Sequence, residues 1–193
     1  MTKEYVETVL KSFFGKQKQI PPIYSAIKIN GKKAYEYARK NQSVELEPRD
    51  IEIKKIELIS FTNNIITYEV TCTKGTYIRV LCENIAEKIG TVGLMQNLKR
   101  TEVNNFKIED SITLEEINKN GLDIVEKKMI SIEEVFNKNR SIALDNRELE
   151  LFLNGVQLTN MNEEGIYKIY NQKKFIGLGT IKNNLLKRDV ILK

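Results

Sequence analysis

Two runs of alternating apolar and polar residues, set around Asn63-Asn64, constrain the fold of this 193-residue chain more than any other feature. Residues 50–61 alternate strongly, with Ile51, Ile53, Ile56 and Leu58 as the apolar positions, and a second run follows from Ile65 to Thr73. A period of two predicts strands with one buried and one wet face. The Asn-Asn pair between them tolerates left-handed backbone, so the two strands are expected to form a long antiparallel hairpin.

Helical patterns flank the hairpin and would shield its apolar face. Over residues 3–14, Val6, Leu10, Phe13 and Phe14 share one side, Thr2 can cap the start, Glu4 and Glu7 suit its positive end, and Gly15 follows as a stop. Over 78–89, Ile78, Leu81, Cys82, Ile85 and Ile89 form a stripe that ends at Gly90. Between them, 24–29 reads as a strand, Asn30-Gly31 as a turn and 32–40 as a short helix. Residues 94–108 look extended. Ser111 and Ser131 each precede a short helix. A helix from Asp145 ends at Gly155, and the tail is strand-rich at Ile166–Tyr170, Phe175–Thr180 and Val190–Leu192. The expected fold is α+β: part of a mixed, largely antiparallel sheet with flanking helices over 1–140, then a small β-domain over 141–193.

Composition mainly excludes. The chain has no histidine, which removes Ser-His-Asp triads, histidine zinc sites and histidine acid–base chemistry. Cys72 and Cys82 are the only cysteines, too few for a thiolate metal cage, and in a chain of this size they read as reduced and intracellular. No run is long enough to span a membrane, and the start Met1-Thr2-Lys3-Glu4-Tyr5 lacks the apolar core of a secretory signal. A cytoplasmic protein is expected.

The net charge of +5 hides strong patterning. Residues 11–40 carry eight basic groups and one acid, Glu36; residues 173–193 carry six basic groups and one acid, Asp189; residues 109–135 carry eight acids and three lysines. Charge runs are usually solvated faces. Here Tyr24, Tyr35 and Tyr37 interleave with the first basic block, which also suits a surface that tracks phosphates.

Two segments are more specific. One is Gln19-Ile20-Pro21-Pro22-Ile23-Tyr24-Ser25-Ala26-Ile27-Lys28, continuing through Asn30-Gly31-Lys32-Lys33-Ala34-Tyr35-Glu36-Tyr37-Ala38-Arg39. The other is Lys74-Gly75-Thr76-Tyr77-Ile78-Arg79, followed by Leu98-Lys99-Arg100-Thr101. Read as a strand ending at Arg79, Tyr77 and Arg79 share one face. An aromatic wall beside a guanidinium suits an extruded base held near a carboxylate, because a stacked base cannot be rearranged in place. Taken singly, Tyr77 is more often a core aromatic with a wet hydroxyl, Leu98 is almost always core, and Arg79 is more often a surface ion-pair partner.

Together the segments resemble the bacterial tRNA pseudouridine synthase B family, closely over about residues 5–110 and more loosely to a PUA-like tail. The resemblance implies isomerisation of the T-loop uridine 55 of tRNA to pseudouridine, with no metal or organic cofactor. It implies that Tyr77 lies against the base, Arg79 pairs with a nucleophilic aspartate and Leu98 lines the pocket. Lys28, Lys32, Lys33, Arg39, Lys99, Arg100, Lys173, Lys174, Lys187 and Arg188 are the expected RNA contacts, and the T arm of tRNA the expected partner.

The family's aspartate lies in a Gly-x-Leu-Asp-Pro motif that precedes the Gln-x-Pro-Pro segment. Asp50, Asp110, Asp123, Asp145 and Asp189 are the aspartates here; Leu122-Asp123 runs into Ile124 and Leu144-Asp145 into Asn146, so neither fits. The chain therefore reads as the C-terminal portion of such an enzyme, inactive alone and prone to self-association at an uncovered sheet edge. Its alternative is a non-catalytic RNA-binding or RNA-folding module. A guide-dependent relative is a weaker third reading, since Gly31 to Arg39 fits the stand-alone enzymes better.

Overall fold

The computed structural model describes residues 1–192. The chain divides into two units, residues 1–99 and Arg100 onward, each with its own apolar core. The boundary expected near residue 140 falls inside the second unit, just before its sheet begins at Ser141.

The first unit opens with helix α1 (Lys3–Lys11), capped by the Thr2 hydroxyl, which accepts the Tyr5 N–H at 3.3 Å. It stops three residues earlier than the apolar pattern suggests. Ser12, Phe13 and Phe14 close a tight turn, and Gly15, expected as the helix stop, instead begins strand β1 (Gly15–Gln19) at φ +102°. Residues 24–29 are not one strand. Ser25 N–H donates to the Ile23 carbonyl in a bend, and only β2 (Lys28–Ile29) is extended, paired across the Asn30-Gly31 turn with β3 (Lys32–Lys33). This ribbon stands apart from the main sheet and leads into the short helix α2 (Ala34–Ala38).

The predicted hairpin forms as β4 (Arg49–Thr62) and β5 (Ile65–Cys72), with Asn63 and Asn64 both at positive φ in the turn. The register slips between Ile53 and Lys55. That bulge shifts the inward phase from Ile51 and Ile53 to Ile56, so all three are buried although the last two are three residues apart. Helix α3 (Ile78–Ile89) follows and ends on Gly90 in the left-handed conformation. The antiparallel sheet runs β1-β4-β5. Val6, Val9 and Leu10 of α1, Ile53 and Ile56 of β4, and Leu81 and Ile85 of α3 form its core. Full burial of each large aliphatic side chain among these contributes about 1.5–3 kcal/mol.

The second unit begins with a small ribbon, β6 (Glu102–Val103) and β7 (Phe106–Lys107), in the stretch expected to be extended. Then come helices α4 (Leu114–Asn120), α5 (Asp123–Lys128) and α6 (Ile132–Val135). Short helices follow Ser111 and Ser131 as expected; Ser131 itself caps α6, and Thr113 caps α4. Backbone N–H groups of Thr113 and Ser131 hold the Glu116 and Glu134 carboxyls below their usual range, so part of the acidic block serves as helix caps. Strand β8 (Ser141–Leu144), helix α7 (Asn146–Leu153) and strands β9 (Leu158–Thr159), β10 (Gly165–Asn171), β11 (Lys174–Lys182) and β12 (Leu185–Ile191) complete it. The mixed sheet runs β8-β10-β11-β12-β9, with β8 parallel to β10, and packs around the fully buried Phe152 of α7. At Gly177, φ is +150° and a Cβ would meet the Val190 carbonyl oxygen at 2.1 Å, so β12 passes too close for any side chain.

Candidate active site and nucleic-acid interface

The Lys74–Arg79 motif is not a strand. It is the turn from β5 into α3, with Tyr77 at the N-cap and Arg79 in the first helical turn. The chain folds this way because each step is pinned. The Thr73 hydroxyl accepts the Glu52 N–H at 2.9 Å and Thr73 N–H donates to the Glu52 carbonyl at 3.0 Å, fixing the end of β5 against β4. Gly75 takes φ +87°, and the Thr76 hydroxyl returns to the Thr73 carbonyl at 2.9 Å.

Tyr77 offers no side-chain cap to α3. Its backbone is held by the buried side chain of Gln19, at the end of β1. The Tyr77 N–H donates to Gln19 Oε1 at 2.8 Å, and Gln19 Nε2 donates to the Tyr77 carbonyl at 3.2 Å. That carbonyl also accepts the Leu81 N–H at 3.0 Å. Arg79 is exposed, and its Nη2 donates to the Tyr24 carbonyl at 3.4 Å. Among the described residues Arg79 joins no ion pair, so its guanidinium, beside the positive end of α3, is free for a carboxylate or phosphate.

The structure thus brings Tyr77 and Arg79 together with the Gln19–Tyr24 segment. Leu98 lies 56% exposed in an irregular stretch, outside the core of this unit, and Val92 and Leu94 before it are also exposed. Behind the motif, the Tyr68 hydroxyl and Cys82 Sγ lie 3.2 Å apart. Burial first, then the bond to Cys82, pushes the Tyr68 phenol well above its usual range. It stays neutral and packs β5 on α3.

Among the sequence-derived RNA contacts, Lys28 and Lys33 face each other across the β2–β3 ribbon, next to Lys32. All three and Arg39 are exposed, and none is in an ion pair among the described residues. The one acid of this block, Glu36, accepts the Lys33 backbone N–H at 3.3 Å. Like charges opposite each other weaken a ribbon, so a cluster left uncompensated suits a polyanion. Lys33 and Arg39 lie 5.5 and 5.1 Å from the Tyr35 ring centroid, which orients both cations. Lys99 and Arg100 are exposed in irregular chain. In the second unit the exposed Lys173 lies in the β10–β11 turn, the exposed Lys174 opens β11 and the exposed Lys187 lies on β12. Arg188 instead donates to the Leu153 carbonyl at the end of α7, which gives it a structural task. Sequence reasoning gave Gln19 no role. Its partner is 58 residues away, and only its place in the Gln-x-Pro-Pro segment marks it.

Among the described residues no helix is long and apolar enough to cross a membrane, and no group of three or more Cys, Asp or Glu could hold a metal ion.

Two family models match: the N-terminal domain of TruB family pseudouridylate synthase over residues 1–78, and the tRNA pseudouridylate synthase B C-terminal domain over 79–138. The tRNA pseudouridine synthase B of Clostridium tetani is 40% identical over 183 residues, covering 92% of this chain and 62% of that protein. Its counterpart in Caldanaerobacter subterraneus subsp. tengcongensis is 40% identical over 190 residues, covering 96% and 65%. This chain therefore spans less than two thirds of the length of these relatives. In fold it is similar to a chain of a Cbf5-Nop10-Gar1 complex, with TM-score 0.70 and 18% identity, covering 99% of this chain and 62% of that one. A chain of an H/ACA RNP bound to a substrate RNA containing 2'-deoxyuridine gives TM-score 0.66 at 17% identity, covering 99% and 61%. With both domain models matched in order and identities of 40% along most of its length, the chain belongs to the tRNA pseudouridine synthase B family.

Proposed function

We propose that this chain is the base-holding and RNA-gripping portion of an enzyme that isomerises a T-loop uridine of tRNA to pseudouridine in the cytoplasm. The observation that carries the reading is the pairing of Tyr77 and Arg79 at the start of α3, with Arg79 in no ion pair among the described residues. A uridine extruded from the loop would lie against the Tyr77 ring. Arg79 would hold the nucleophilic aspartate ionised. The reaction breaks the bond from the ribose to N1 of the base, turns the base and rejoins it through C5. The C5 proton leaves and N1 gains one, so no redox step is needed. Leu98, exposed beyond the core, would close on the base when RNA binds.

The aspartate must come from outside the matched positions. The first unit contains one aspartate, Asp50, opposite Lys18 on β1. Neighbouring residues on a strand point to opposite faces, so Asp50 lies across the sheet from the Gln19 side chain. Alone, the chain is then inactive. That same observation favours the second reading, an RNA-binding module without chemistry. Strands β1 and β5 each have one neighbour in the described sheet, and Val92, Leu94 and Leu98 are exposed, so the chain should pair with a second copy of itself.

Competition binding tests the RNA partner. A T-arm hairpin should displace whole tRNA from the chain at similar concentration, and an unrelated hairpin should need at least tenfold more. Equal competition by both hairpins refutes T-arm recognition.

A further inference from the structure

Gln19 is one of two buried polar side chains among the described residues, at 6% exposure. Burying an amide is unfavourable unless both its ends are bonded. Here the oxygen takes the Tyr77 N–H and the nitrogen donates to the Tyr77 carbonyl. A helix start is normally satisfied locally, by Ser, Thr, Asn or Asp at the N-cap. Thr113, Ser131 and Asp145 do so in this same chain. At α3 the N-cap is a tyrosine with no capping side chain, and its own N–H is taken by Gln19 from another strand, the task that Glu116, Glu134 and Glu148 perform locally at α4, α6 and α7. From Gln19 the chain runs through Ile20-Pro21-Pro22 to Tyr24, whose carbonyl takes Arg79 Nη2. One short segment, stiffened by two prolines, therefore holds both the backbone of Tyr77 and the guanidinium of Arg79.

We propose that Gln19 is a positioning residue of this site. By bonding the N–H and carbonyl of the N-cap residue from a distance, it fixes the aromatic ring that position 77 carries in place of a capping side chain, and Arg79 with it, for the extruded base. The inference rests on the functional reading above. Glutamine suits the task because its neutral amide offers a donor and an acceptor at once; a carboxylate offers no donor, and asparagine is one methylene shorter.

Amide hydrogen exchange tests the geometry on the unsubstituted chain. The first amides of a helix normally have no partner and exchange fast. The Tyr77 amide should instead exchange at least tenfold more slowly than those of Ile78 and Arg79, and lose that protection in Gln19→Met while the Leu81 amide keeps its own. A fast Tyr77 amide in the unsubstituted chain overturns the proposal. The functional arm uses a T-arm hairpin carrying 5-fluorouridine at the target position, read by fluorine NMR. The unsubstituted chain should shift the fluorine signal, and Gln19→Met should abolish the shift while changing hairpin affinity less than threefold. A shift that survives Gln19→Met overturns positioning alone. No shift with the unsubstituted chain overturns the functional reading and this inference with it.

Discussion

Replacing Lys28, Lys32 and Lys33 together by Gln should flatten the salt dependence of tRNA binding without weakening the fold. The three lysines stand on one two-stranded ribbon, exposed and in no ion pair among the described residues, and the one acid of residues 11–40, Glu36, bonds to backbone. Each lysine that neutralises a phosphate adds about 0.7–0.9 to the slope of log affinity against log salt. Three contacts add roughly 2–3 to that slope. A fourfold rise in salt then costs the unsubstituted chain about 16–60-fold more affinity than the variant. The fold loses no buried contact, and relief of the Lys28–Lys33 repulsion adds at most a few tenths of a kcal/mol. Fluorescence anisotropy with labelled tRNA over a salt series, beside thermal melts, reads both quantities. An unchanged slope refutes the phosphate-tracking role of the ribbon. A lower melting temperature would mean that the lysines support structure instead.

Other outcomes follow from single contacts. Arg79→Ala should leave stability within about 0.5 kcal/mol, since it removes one long surface hydrogen bond; a melt showing a larger loss would place Arg79 in the fold rather than in the chemistry. Gly177→Ala should destabilise the second unit by about 1–3 kcal/mol or more, because the new methyl meets strand backbone that cannot move aside; urea unfolding equal to the parent would refute that close approach. The Tyr68 phenol is raised in the folded chain. Its contribution to stability is therefore full below the unfolded value near 10 and declines as pH rises above it. Tyr68→Phe should remove part of the alkaline loss of stability, and an unchanged alkaline limb in melts across pH would count against it.

Elements that announce themselves locally were legible in the sequence. The β4–β5 hairpin shows as alternation, its turn as Asn63-Asn64, and the end of α3 as Gly90. Even the slip from Ile53 to Ile56 is visible as a change of phase, although only the ladder identifies it as a bulge. Strand β1 was not legible, because its sequence Gly-Lys-Gln-Lys-Gln has no apolar alternation; its inward stripe is Gln17 and Gln19, and pairing with β4 makes it a strand. The same non-local contact explains the misreading of Tyr77–Arg79 as a strand end. A tyrosine at an N-cap carries no capping signal, and the side chain that holds its backbone comes from a residue 58 positions away. At α1 the reverse occurred: Phe13 and Phe14 extend the apolar pattern past Lys11, where the helix stops and the chain turns into β1. The site motif could be located from sequence, but its geometry depends on contacts that no local pattern encodes.

The most direct test of the account is pseudouridine formation in an unmodified tRNA transcript, read by carbodiimide labelling and primer extension. The chain would be assayed alone and fused to the part of the Clostridium tetani relative that it does not cover. The chain alone should form no pseudouridine, the fusion should modify one T-loop position, and the fusion carrying Arg79→Ala should do so at least tenfold more slowly. Turnover by the chain alone would contradict the missing-aspartate argument, and an Arg79→Ala fusion as fast as its parent would contradict the site.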